Sequence, residues 1–128
     1  MSRAGEAMSI AAVAIVLGGA GSAIAARGPT SAERATVVRT VKNSRLLAAL
    51  PRDAIAVTAV RISTVRVPGR VYARAKIFDD RKAHPDRATG VLRRLRGHWR
   101  LLDLGTADVG CHAVPARVRA DLRLPRCT

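Results

Sequence analysis

The chain predicts an α+β domain: an N-terminal helix packed on a four-stranded antiparallel meander, with a short C-terminal helix clipped by a disulfide. Three observations predict it. A capping box opens an apolar stripe of helical spacing at residue 30. The apolar period changes to two after residue 54. Cys111 and Cys127 then lie 16 residues apart near the C-terminal end.

Ahead of this domain, residues 8–26 read MSIAAVAIVLGGAGSAIAA, an uncharged apolar and small-residue run behind Arg3. A basic n-region, an apolar core and a small-residue exit make a secretory signal. Ala23-Ile24-Ala25 supplies the A-x-A exit and places cleavage between Ala25 and Ala26. Retention as a signal anchor is the alternative, because the run is long enough to cross a hydrocarbon core of about 30 Å. Glu6 weakens the n-region, whereas Gly18, Gly19 and Gly21 interrupt the run and argue against an anchor. With no cysteine at the exit, lipid modification is not expected. Residues 1–25 are therefore read as signal peptide or signal anchor, 26–29 as linker and 30–128 as one exported domain. The expected location is secreted or extracellular, or alternatively the cytoplasmic membrane, held by residues 8–26.

Thr30 and Glu33 have the capping-box spacing, and a helix should follow to Lys42 or Asn43. Val37, Val38 and Val41 form its apolar stripe, joined by Ala35. Leu46, Leu47 and Leu50 should pack beneath it before Pro51. Residues 55–67 are β-rich, with Val60, Ile62 and Thr64 alternating with Arg61 and Ser63. Pro68-Gly69 is a turn. Val71, Ala73, Ala75 and Ile77 then share one face, opposite Tyr72, Arg74, Lys76 and Phe78. A charged loop over 79–86 leads to a third strand over 90–96, a tight hairpin at Arg96-Gly97-His98, and a fourth strand over 99–104. Short connections between β-rich runs favour an antiparallel meander, since parallel neighbours need long crossovers. Pro115 should open a short helix that carries Val118 and Leu122 inward. One helix-covered face would leave the other open to a ligand, as in cystatin-like and NTF2-like layers by analogy.

The formal charge is +14, from 23 basic residues against 9 acidic ones, and only Lys42, Lys76 and Lys82 are lysines. Such a field draws polyanions: nucleic acid, anionic lipid or phosphate-bearing wall polymers. The same arginine-, alanine-, valine- and glycine-rich composition is what GC-rich coding drift produces, with arginine filling solvated positions. The best binding candidates are Arg93, Arg94 and Arg96, with Arg100 across the hairpin, and Arg117 with Arg119. Sequence-specific nucleic-acid reading has no support, because stacking platforms need aromatics and only Tyr72, Phe78 and Trp99 are present. Trp99 is assigned to the core.

Catalytic constellations are poorly supported. His84 and His98 read as exposed loop residues, and His112 adjoins Cys111 too closely to serve it as a base. In an oxidising compartment Cys111 and Cys127 most simply pair with each other, leaving no thiolate; a metal site would need more ligands than the chain brings together. Asp79, Asp80 and Asp86 sit among Arg81, Lys82 and Arg87 as a self-neutralised loop. No catalytic residue, metal or cofactor is implied.

The run Gly97-His98-Trp99-Arg100-Leu101-Leu102-Asp103-Leu104-Gly105-Thr106, then Asp108-Val109-Gly110-Cys111, Val114-Pro115, Asp121-Leu122-Arg123-Leu124 and Cys127, carries a resemblance. It resembles a group of small exported or lipid-anchored proteins of high-GC Gram-positive bacteria (actinobacteria) without assigned activity. Ile62-Ser63-Thr64 and Tyr72-Ala73-Arg74-Ala75 fit the same pattern, so the likeness extends over residues 30–128. It implies export, the disulfide and the helix-plus-sheet layer, and transfers no catalytic residue. The expected function is a non-catalytic binding or structural module of the cell envelope, with an unknown envelope or extracellular protein as partner. The alternative is electrostatic adhesion to wall phosphate polymers or anionic lipid.

Overall fold

The Thr30–Glu33 box closes as its spacing requires. In a computed structural model that describes residues 25–128, the first helix, α1, spans Ser31–Lys42. The leader expected upstream of Ala25 lies outside the described residues. Thr30 Oγ1 accepts from the Glu33 N–H at 3.1 Å, and Glu33 Oε1 accepts from the Thr30 N–H at 2.9 Å. The Arg27 guanidinium adds two 2.8 Å bonds to the same carboxylate. Arg27 also exchanges backbone bonds of 2.8 Å in both directions with Ile62. The stretch expected as a linker is thus docked, because the Arg27 backbone pairs with the sheet edge at Ile62 and its side chain with Glu33 of α1.

Val37 and Val41 are fully buried, and Val38 is half-buried. Ala35, expected on the same stripe, faces solvent; α1 buries a narrow seam on the sheet rather than a wide face. Ser44 caps a 3-10 turn, Arg45–Leu47. In so tight a turn successive side chains point far apart, so Leu47 is buried while Leu46 is 54% exposed. The expectation that all three leucines pack inward fails at Leu46 for that reason.

Four strands follow: β1 Ile55–Ile62, β2 Arg70–Asp79, β3 Ala88–Leu95 and β4 His98–Gly105. They form one antiparallel sheet in the order β1-β2-β3-β4. A bulge between Thr58 and Arg61, with Ala59 at φ 52°, reverses the parity of β1. Ile55 and Val57 upstream, and Val60 and Ile62 downstream, therefore reach the same core. The Pro68-Gly69 turn closes with the Arg70 N–H on Val67 O at 3.0 Å, and Gly69 supplies the positive φ. The β3–β4 hairpin turns on two residues, Arg96 at φ 52° and Gly97 at φ 80°, and His98 already belongs to β4. Under α1, Ala73, Ala75, Ile77, Leu92 and Leu101 join the β1 residues in the main core. Trp99 lies half-buried at the rim of that core, not inside it as the sequence suggested.

The opposite face is partly covered, contrary to the expectation of an open face. Val109, Val114, Val118 and Leu122 of the C-terminal segment bury Tyr72 and Val91 in a second core. The short helix α2, Ala116–Asp121, presents Val118 and Leu122 there, as its spacing suggested. Cys111 and Cys127 are disulfide-bonded with Cα atoms 5.8 Å apart. Two further ties hold the same segment. Arg119 donates to Val109 O at 2.6 Å and to Pro125 O, and the Asp108 carboxylate accepts from the Thr128 N–H and hydroxyl at 2.8–3.0 Å. Those bonds to Thr128 hold the Asp108 carboxyl below its ordinary value. The chain is thus a helix, a sheet and a clipped tail in three layers.

Candidate anion-binding face

Directly paired residues of an antiparallel sheet project to the same side. On the side away from α1, Arg61 pairs with Arg74 and Arg93 pairs with Arg100. Like charges placed directly opposite destabilise a sheet unless something offsets them. Among the described residues only Arg27–Glu33 and Arg81–Asp79 form ion pairs, so none of these four arginines has a carboxylate partner. Arg74 and Arg93 are only half-exposed, and the Nε atom of each is buried without a hydrogen-bond partner.

Arg123 joins Arg61 and Arg74 from the tail. Its position is set by the end of α2, where the Leu124 N–H reaches Arg119 O at 3.0 Å and the Arg123 N–H reaches Ala120 O at 3.1 Å. This is a Schellman closure, and Arg123 occupies its left-handed residue at φ 54°. Glycine is the usual occupant, since a side chain there costs about 1–2 kcal/mol. Burial pushes the Arg74 pKa down, and the neighbouring charges of Arg61 and Arg123 push it further.

These three arginines line a cavity of about 200 Å³ with Ala25, Ala26 and Asp121. Asp121 Oδ2 accepts from the Ser63 hydroxyl at 2.7 Å and the Thr64 N–H at 2.8 Å. Its Oδ1 is buried without a partner. A second concavity, about 630 Å³, lies between the C-terminal end of α1 and β4, with Arg39, Arg45, Leu46, Trp99 and Arg100 on its walls.

The six arginines singled out from sequence do not make one patch. Arg93 and Arg100 meet across the hairpin. Arg94 points to the α1 side, its guanidinium 5.7 Å from the Trp99 ring centre. Arg96 sits in the turn, not on the strand with Arg93 and Arg94. Arg117 is exposed on α2, and Arg119 is consumed by two tail carbonyls. Arg61, Arg74 and Arg123 were missed. Arg61 and Arg74 alternate visibly with apolar residues, yet their pairing depends on irregularities between the turn and β1. From the bridge at Val67–Arg70, a regular hairpin would set Arg61 opposite Lys76, not Arg74. Ala25 and Ala26, which flank the expected cleavage bond, form one wall of the cavity.

Fold and face together define a small α+β domain with a disulfide-clipped tail and an arginine-lined outer side. Among the described residues no helix is long and apolar enough to cross a membrane. Set against protein-family models, curated proteins and solved structures, the chain matches none.

Proposed function

We propose that the chain is an exported, non-catalytic binding module that adheres to polyanions of the cell envelope, wall phosphate polymers or anionic lipid, through its arginines. The leader reading, the resemblance to small exported proteins and the disulfide all support export, since disulfides persist in oxidising compartments. The observation that carries the binding reading is the placement of the surplus charge. Compositional drift fills positions where solvent accommodates arginine. Arg74 and Arg93 instead keep Nε out of water opposite other arginines, and Arg123 stands where glycine fits best. A bound anion offsets that repulsion and supplies acceptors to those donors.

The test is retention of the protein on heparin and phosphate resins across a salt series. Retention should collapse between low and moderate salt, as the screening length shortens to about 10 Å at 0.1 M. Removing Arg93 and Arg100 together should weaken retention more than removing the exposed Arg34 and Arg52, an equal loss of charge. Equal effects would reduce the reading to net charge alone, and retention indifferent to salt would overturn it.

A further inference from the structure

We propose that Arg61, Arg74, Arg123 and Asp121 form a discrete site for a polyol phosphate, with the phosphate on the guanidiniums and a neighbouring hydroxyl donating to Asp121 Oδ1. The inference rests on the polyanion reading above and names the ligand class of that surface. Charge fixes the first part. Three arginines and the single Asp121 line the cavity, a surplus of two positive charges. A phosphate ester matches the planar guanidinium fork and brings negative charge to that surplus, about −1.5 to −2 as a monoester at neutral pH and less as the diester of a lipid or polymer.

The orphaned atoms fix the second part. Arg74 Nε is a donor and Asp121 Oδ1 an acceptor; both are buried, both residues line the cavity, and they do not bond to each other. Buried polar groups without partners are uncommon and costly. A simple anion satisfies the donor and repels the acceptor. A phosphate ester that also carries a hydroxyl offers an acceptor to the first and a donor to the second. Size fixes the third part: about 200 Å³ lies below the 300–1,000 Å³ of a pocket for a whole organic ligand, so the headgroup enters and the remainder stays outside.

The arginine at the left-handed position gives the sharpest test. Arg123→Gly relieves backbone strain while deleting one guanidinium, so it should raise the melting temperature and lower phosphate affinity at least tenfold. The full-length chain, purified in mild detergent, is titrated calorimetrically at physiological salt with glycerol 1-phosphate and with methyl phosphate, which lacks the hydroxyl. Glycerol 1-phosphate should bind saturably at one site, and methyl phosphate several-fold more weakly. Asp121→Asn keeps an acceptor for Ser63 and Thr64 but replaces Oδ1 with a donor, and it should erase that preference. Vesicles of phosphatidylglycerol in phosphatidylcholine that compete with glycerol 1-phosphate would support the site with lipid as the source. With non-competing vesicles the site stands on the glycerol 1-phosphate titration, and lipid is excluded as its source.

Unchanged affinity in Arg123→Gly, or equal binding of the two esters, would overturn the site. Salt-sensitive resin retention that survives such a result would leave the broader polyanion reading intact. Loss of both would remove both.

Discussion

Replacing Cys111 and Cys127 together by serine isolates what the clip contributes. The cysteines are 16 residues apart, and closing a loop of that size in the unfolded chain is worth about 3 kcal/mol on the chain-entropy account. The folded state should survive, because the enclosed segment is held independently. Val118 and Leu122 are fully buried, Arg119 binds Val109 O, and Asp108 binds Thr128. The loss should therefore appear as an earlier urea midpoint with an unchanged slope. With slopes of about 1–3 kcal/mol per M for small domains, the midpoint should fall by about 1–3 M. Trp99, the sole tryptophan, reports the α1 side, while far-UV circular dichroism reports the whole chain. The two transitions should coincide. An unchanged midpoint would refute the stabilising role of the disulfide. A reduced slope with diverging transitions would show that the tail has already left the sheet, and that the second core depends on the bond.

Leu122→Ala should cost about 2–5 kcal/mol, as for a fully buried leucine, and a neutral result in thermal melts would deny the second core. Trp99→Ala should cost only about 1–2 kcal/mol, below the 3–5 of an enclosed aromatic, because the ring sits at the rim; a larger loss would return it to the core. Gly110→Ala should destabilise by at least about 1 kcal/mol, since Gly110 has φ +74° and an added Cβ would lie 2.9 Å from Val114 Cγ2; equal denaturation midpoints would contradict that. Acid should also destabilise the fold. The Arg27 guanidinium holds Glu33 at about 2, and the Arg81 guanidinium holds Asp79 at about 2. Both folded values lie below the ordinary carboxylate values, so their contribution is complete above about pH 5 and is lost as pH falls toward 2. Arg27→Ala with Arg81→Ala should flatten the melting-temperature profile between pH 5 and 2, and an unaltered slope would assign the acid sensitivity elsewhere.

Where local rules act alone, the sequence was legible. Thr30 and Glu33, three positions apart, specify a helix start through two reciprocal hydrogen bonds, and Pro68-Gly69 specifies a turn through the conformations those two residues prefer. The alternation of Val71, Ala73, Ala75 and Ile77 specifies which side of β2 is core. Displacing one turn by a residue was enough to misplace the basic patch. A loop ending at His98 would set Arg94 opposite Arg100, whereas the two-residue turn Arg96-Gly97 sets Arg93 opposite Arg100 and sends Arg94 to the other face.

By itself, then, the sequence determined the helix, the strands, the core face of β2, the meander, and the cysteine pair, because each is written in spacings a few residues long or in the redox logic of two cysteines. Tertiary structure alone decided that the tail covers the second face, that Arg27 docks on β1, and that Arg61, Arg74 and Arg123 converge on Asp121. These contacts join residues distant in sequence, as Arg27 is from Ile62 and Arg61 from Arg123. They hang on a bulge at Ala59 and a left-handed residue at Arg123, two backbone irregularities whose conformations only the packed chain imposes.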